Sequence, residues 1–583
     1  MMMHIQTIKP SGWIKDLMEK EVQKHVIHRL PQLVPTIFND DIFKSDRIGR
    51  HTKPKDLGTL ENDDSWNAQL YWWNSETIGN YYDGCMRYGF MLENTQIIKD
   101  VRAFVKHILS SQDTDGYIGI YTQDTRYRFT SENGELWAKT TIGRFLLGYY
   151  QYTKEMNVLQ AVIRMTENLM NHFKKDASFP FSGKNTFAGV AHGLMFVDVL
   201  YELYEITQSK HYIDYAIFLY EDYNRSDTSE PDCLIKNLMD SSYRFQGHGV
   251  HTYEHLRAVA IYDHFSGLNG VLYRKYMEKL QWVLSPSGGP IGDEWIMKGV
   301  ADAGRHGYEF CSIHELMTSL IFVSKLGLDN QYALVEKIYY NANMGTHHQK
   351  HQTIAYLKSD DSYAMMGKFQ YEQPHSPHKV QTRYKYSPTH QDAAVCCVPN
   401  AGRVSPYFIH GMLSIQDEKV VIHYVLPVEI QLTMDSQSYY LHIHQSRIHD
   451  AFDIETNIPD GNLIMNVQPL KSIEIKHDLH DRIYFEYNGL VFAYPIQGVD
   501  KTIKKHLFGL EDMHVLPKKP HIPLIYRGDK PMLRGTIHEP KIEVVLYQEN
   551  EAIQAILIPM GQTNLRQVTF EKEIFMHHTQ GIK

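Results

Sequence analysis

Five cysteines in 583 residues are too few for the disulfide framework of a small secreted scaffold. Long apolar runs are missing too. None is long enough to span a bilayer, and the opening Met-Met-Met-His-Ile-Gln-Thr-Ile-Lys-Pro lacks the apolar stretch of a secretory signal. Positive charge is not in excess. The formal net charge of -9 leaves no basic footprint for nucleic acid, and no run of like charge changes that. No His-Glu-x-x-His string occurs among the 33 histidines. The expectation is a cytoplasmic protein with neither a membrane nor a nucleic-acid partner.

What is present suits a large globular chain. With 43% hydrophobic and 22% charged residues, it can bury a sizeable core and form more than one domain. The first two thirds read as helices joined by aromatic, glycine-containing loops, with helices expected over 136–152, 190–206, 253–265 and 313–326. Beyond about residue 410 short β-branched or alternating runs take over, as at 420–425, 483–487 and 542–547. The predicted class is α+β multidomain, with a helical domain over 1–410 and a C-terminal β-sandwich region over 411–583. The proline-containing stretch 501–530 is read as a connection between two β sub-domains.

Three of the five cysteines fall in two short strings. Cys396 and Cys397 are adjacent in Val-Cys-Cys-Val-Pro-Asn, and Glu309 stands two residues before Cys311 in Tyr-Glu-Phe-Cys. Three thiolates and a carboxylate make a full tetrahedral ligand set for Zn2+, a borderline-soft cation that takes sulfur and oxygen donors. Residues one or two apart on a helix do not face the same way, so both strings must sit on irregular backbone. The apolar spacing after Cys311 places Glu309 and Cys311 at the turn entering a helix, and Pro399-Asn400 reads as a turn or helix start. Buried, inert cysteines are the plain alternative for any one of them, and a strained disulfide between Cys396 and Cys397 is a remote one.

This pattern resembles glycoside hydrolase family 127, the β-L-arabinofuranosidases with a zinc-bound cysteine nucleophile. Asp115-Gly116-Tyr117, the helix start at Glu135-Leu136, Gly247-His248-Gly249-Val250, Gly292-Asp293-Glu294 and Gly489-Leu490-Val491 follow in the family's order. The resemblance implies an (α/α)6 helical toroid followed by β-sandwich material. It also implies a retaining exo-glycosidase acting on small oligosaccharides or glycosides. Cys396 would then be the nucleophile, with Glu309, Cys311 and Cys397 completing the zinc ligands, and Glu294 the acid/base with Asp293 as its competitor. Trp295 beside Glu294 would lower the local dielectric and raise the carboxyl pKa; a solvated loop acid is the usual fate of such a residue.

The resemblance makes His192 and His248 sugar contacts, since an imidazole can both donate to and accept from hydroxyls. His251, His255 and the pair His347-His348 are read as surface or helix-face residues, and His442 and His444 as one side of a strand. Tyr71-Trp72-Trp73 opens an early helix that lines the cleft or packs the core.

The chain departs from the family at Asn74-Ser75-Glu76, where relatives are more acidic, and at Gly134, where they carry histidine. Ala394 replaces an expected polar residue, and Pro406 shortens or kinks the helix after the cysteine pair. The resemblance makes an L-arabinofuranose-like sugar the leading expectation, and the altered pocket leaves related sugars with the same local stereochemistry open. Two other readings stay open: a toroid glycosidase or epimerase using acids and histidines alone, and a non-catalytic carbohydrate-binding protein with structural zinc. A homodimer is left open.

Overall fold

The computed structural model describes residues 3–24, 29–52, 72–128, 133–175, 177–182, 185–186, 189–292, 294–351, 353–365, 396–416, 418–434, 437–445, 452–466, 472–505, 507–536 and 539–572, and the short strands 369–371, 381–383 and 386–387. Tyr71, Asp293 and Ala394 lie outside the described residues.

The N-terminal part alternates two kinds of helix. Helix α1 (Trp72–Met91) is followed by α2 (Thr95–Ser110), α3 (Glu135–Thr153) by α4 (Met156–His172), and α5 (Val197–Thr207) by α6 (His211–Asn224). Then come α7 (Leu256–Phe265) with α8 (Val271–Leu280), α9 (Phe310–Lys325) with α10 (Tyr332–Lys337), and α11 (Cys397–Gly411). Helix α2 buries one stripe, Ile97, Val101, Val105 and Ile108, and its first turn is capped by Asn94, whose side chain accepts from Ile97 N at 3.1 Å. Helix α3 is buried on every side from Glu135 to Tyr149 except at Arg144. Such a helix must be enclosed by others. Accordingly α1, α3, α5, α7, α9 and α11 each pack on the next and α11 packs back on α1, while the even-numbered helices each pack on the helix before them.

Pro406 lies inside α11, which nevertheless runs through it to Gly411. The helix is not cut short, because the missing N–H is absorbed by a close crossing. Proline at 406 leaves the Gly402 carbonyl without its i+4 donor, and that carbonyl lies against Gly84 of α1, where an added Cβ would sit 2.6 Å from Gly402 O. Gly84→Ala should therefore destabilise the fold by about 1–3 kcal/mol through overpacking. Denaturant unfolding of the variant checks this, and an unchanged midpoint would contradict it.

The C-terminal part is strand-rich. One sheet has the order β1 (Met3–Pro10), β2 (Val428–Met434), β3 (Gln437–Gln445), β4 (Phe452–Thr456), all antiparallel, so the first strand of the chain joins the C-terminal strands. A larger sheet includes β5 (Ile483–Tyr487) and β6 (Leu490–Ile496), and its later strands β9 (Glu539–Gln548) and β10 (Glu551–Pro559) pair as a hairpin. Part of the stretch 501–530, read as a connection, is paired. Strands β7 (Gly498–Lys505) and β8 (Glu511–Pro517) form an antiparallel hairpin, because Met513 and Val515 alternate inward although lysines dominate the outer positions. Pro520, Pro523 and Pro531 fall in the irregular segments after it. One buried apolar cluster runs from the helices into the strands.

Candidate active site

Glu309, Cys311, Cys396 and Cys397 lie at or just before the N-terminal ends of α9 and α11. These ends carry the positive side of the helix dipole, which favours thiolates and carboxylates. Glu309 is the extended residue before α9 and pairs with Leu357; Cys311 is in the first turn of α9. Cys396 has a non-helical backbone before α11, and Cys397 is the first helical residue. This break lets adjacent side chains converge. The sulfurs of Cys311 and Cys397 are 3.0 Å apart and those of Cys396 and Cys397 3.8 Å apart. Glu309 Oε1 lies 3.3 Å from Cys397 Sγ and 3.6 Å from Cys396 Sγ.

A tetrahedral cation with bonds of about 2.0–2.3 Å has donor-to-donor edges of about 3.3–3.8 Å. Three of these four separations fall in that range, the Cys311–Cys397 edge is shorter, and all four donor atoms lie within 4.8 Å of one another, so the residues could close around one such cation. Burial pushes the Cys311 and Cys397 thiols well above their ordinary range, and burial followed by the neighbouring Glu294 and Cys396 does the same to Glu309. Among the described residues, buried Glu309 Oε2 has no hydrogen-bond partner. A cation would relieve each of these burdens at once. Cys311 and Cys397 are fully buried, whereas Cys396 is partly exposed.

Glu294 stands beside this cluster on a strained turn with φ 72°, a conformation that costs a glutamate about 1–3 kcal/mol. The turn is held by Gly249 N donating to Glu294 O at 2.8 Å and by a bridge between His248 and Trp295. The Glu294 carboxylate accepts from His248 Nε2 at 3.1 Å and from the Tyr356 hydroxyl. His248 Nε2 is also 3.6 Å from Glu309 Oε2, so one imidazole links the acid to the thiol cluster. Burial opposes charging of His248, but the hydrogen bond to Glu294 and the Glu309 and Glu230 carboxylates outweigh it and lift its pKa to about 10. Trp295, expected to shield Glu294, is 37% exposed and meets the His248 ring edge-on at 5.8 Å.

His192 stacks on Trp137 with ring centroids 4.4 Å apart, and its Nδ1 is 2.7 Å from Glu254 Oε1. Burial, then the nearby His248, holds it neutral, with a pKa near 3. Trp72 is buried beside it at 6.3 Å and explains one departure from the family. A Cβ at Gly134 would meet Trp72 Cβ at 2.4 Å, so no side chain fits there.

Four histidines read as surface or helix-face residues are buried: His251 at 4%, His255 at 1%, His347 at 6% and His348 at 0% exposure. His251 packs between His192 and His248, at 3.9 and 4.8 Å between rings, because i+3 on a helix returns to the same face. That spacing was a usable signal. Tyr356 and Glu230 were also missed. Glu230 accepts from the His248 backbone N–H at 2.7 Å, and neither residue lies in a string that marks it.

Buried carboxylates, thiols and imidazoles are gathered at one end of a helical ring that leads into strands. Residues 40–242 match the family model described as the β-L-arabinofuranosidase GH127 catalytic domain. A solved GH127 β-L-arabinofuranosidase from Geobacillus stearothermophilus T6 superposes with TM-score 0.67 at 12% identity, covering 97% of this chain and 100% of that one. A solved GH127 β-arabinofuranosidase gives 0.62 at 11% identity over 97% of each chain, and a structure described as a glycoside hydrolase gives 0.57 at 12% over 91% and 99%. At these identities the likeness establishes the shared fold. No curated protein sequence matches the chain. Among the described residues, no helix is long and apolar enough to cross a membrane.

Proposed function

We propose that this protein is a retaining exo-glycoside hydrolase that releases a terminal L-arabinofuranose-like sugar, with Cys396 as nucleophile and Glu294 as acid/base. The observation that carries this reading is the partly exposed Cys396 sulfur within a buried Glu309–Cys311–Cys397 cluster, linked through His248 to Glu294. In this reading residues 1–410 form the catalytic (α/α)6 toroid and 411–583 the β-sandwich region. The closed circle of odd-numbered helices supports the toroid. The β-L-arabinofuranosidases of the same fold support the sugar. The site of action is the cytoplasm, on small oligosaccharides.

The Cys396 sulfur attacks the anomeric carbon while the bond from that carbon to the leaving oxygen breaks. Glu294 gives its proton to that oxygen. The Tyr356 hydroxyl and His248 hold the Glu294 carboxyl in place, and His192 and His248 face the sugar hydroxyls. Glu294, now ionised, then takes a proton from water, whose oxygen displaces sulfur from the same carbon. Two displacements return the original configuration. Zinc held by Glu309, Cys311, Cys396 and Cys397 would keep the sulfur ionised at neutral pH.

The test is hydrolysis of p-nitrophenyl β-L-arabinofuranoside by zinc-loaded and chelator-treated protein, within a panel of furanosides and pyranosides. The expected result is turnover that falls at least about 100-fold on chelation and returns with zinc, since a thiol with no cation beside it stays largely protonated at neutral pH. Full turnover in the chelated, metal-free sample would overturn the zinc-thiolate part. Silence of folded, zinc-loaded protein across the whole panel would overturn the hydrolase assignment to this site.

A further inference from the structure

We infer that Asn400 is a positioning residue for the thiol cluster, locked in its orientation by Arg403; the inference rests on the metal reading above. Asn400 lies one turn after Cys397 on α11, so both face the interior of the ring. Its Nδ2–H donates to Cys311 Sγ at 3.3 Å, and its Oδ1 accepts from Arg403 Nη1 at 2.7 Å. A guanidinium can only donate, so the amide oxygen must face Arg403 and the amide N–H must face sulfur. The Asn400 side chain thereby has one permitted orientation.

Arg403 is itself fixed. It is 2% exposed, its Nε donates to Asp83 Oδ2 at 2.9 Å, and its Nη1 lies 3.6 Å from Glu315 Oε1. Asp83, 1% exposed on α1, also accepts from Arg87 Nε at 2.9 Å and from the Tyr407 hydroxyl at 2.8 Å. Burial opposes its ionisation, yet Arg87 and Arg403 outweigh burial and hold its carboxyl at about 2. The chain Arg87–Asp83–Arg403–Asn400 therefore carries a rigid, charged support from α1 across α11 to the Cys311 sulfur.

An N–H aimed at sulfur favours the thiolate over the thiol and draws charge from it. The position and direction of Cys311 Sγ are thus fixed, and its charge would be shared once a cation displaced the thiol proton. Asn400→Asp is the most direct probe. It keeps the side chain's size and its acceptor toward Arg403, and replaces the donor facing sulfur with an acceptor.

The experiment measures zinc affinity by competition with a chromophoric chelator, and the thiolate-to-metal absorption of the Co2+-substituted protein, for wild type, Asn400→Asp and Asn400→Ala. Circular dichroism establishes that each variant is folded. Both variants should bind zinc about 10–100-fold more weakly, the usual scale for a hydrogen-bonded support of a metal ligand. Their cobalt absorption bands should shift, and Arg403→Lys should fall between wild type and Asn400→Ala. Folded Asn400 variants with wild-type zinc affinity and an unchanged cobalt spectrum would overturn the inference while leaving the metal reading intact. A wild-type protein that takes up neither metal would overturn both.

Discussion

Cys396→Ser is expected to stay folded and to lose turnover by about 10⁴-fold or more, on the scale seen when an enzyme's covalent nucleophile is removed. Cys396 is partly exposed just before α11, so the smaller, less acidic hydroxyl is accommodated without a fully buried cavity. Glu309, Cys311 and Cys397 remain as three ligands, and zinc should be retained at reduced affinity. A serine hydroxyl has neither the acidity nor the nucleophilicity of the thiolate, so binding survives while chemistry does not. kcat for p-nitrophenyl β-L-arabinofuranoside and zinc content, measured on the same preparation, check both halves. A folded variant with near-normal kcat would remove Cys396 from the mechanism. It would favour the reading in which zinc only pins the loops before α9 and α11.

Glu294→Gln should lower kcat by about 10²–10⁴-fold, the range for removal of a general acid or base. The amide cannot supply a proton, although its oxygen can still accept from the Tyr356 hydroxyl. The loss should depend on the leaving group. A nitrophenolate departs with little protonation, so sulfur attack survives and water attack becomes limiting, whereas an alkyl arabinoside needs the proton and suffers the full loss. Azide, which needs no base, should restore much of the nitrophenyl rate and yield a glycosyl azide. Equal losses for both substrates with no azide rescue would show that Glu294 holds the pocket rather than moving protons. Outside the described residues, Asp293 is the next acid to substitute in that case.

The convergence of Glu309, Cys311, Cys396 and Cys397 was legible because its chemistry is rare in composition. With five cysteines in the chain, two strings holding three of them stand out, and the helix periodicity after Cys311 placed them at a helix entrance. The histidines behaved oppositely. Among 33 of them abundance marks none as buried, and His251 and His255, read as surface or helix-face residues, are enclosed by other rings. Tyr356 could not be read at all, since it reaches Glu294 only through the pairing of 308–309 with 357–358.

The helix-rich and strand-rich halves were legible from periodicity. The membership of single strands was not. Residues 3–10 pair with 428–434, a contact set entirely by tertiary packing, and the lysines and prolines of 501–530 masked the 498–517 hairpin. The role of Gly134 likewise needed coordinates, because only they put Trp72 in the space its side chain would fill.

The central claim is that a sugar passes through a covalent bond to Cys396. Acid quenching of zinc-loaded protein during turnover of an activated β-L-arabinofuranoside, followed by peptide mapping by mass spectrometry, tests it most directly, with Glu294→Gln used to let the adduct accumulate. A pentosyl adduct on the peptide containing Cys396, absent from Cys396→Ser, is the predicted result. Sustained turnover with that peptide unmodified at every quench time would contradict it.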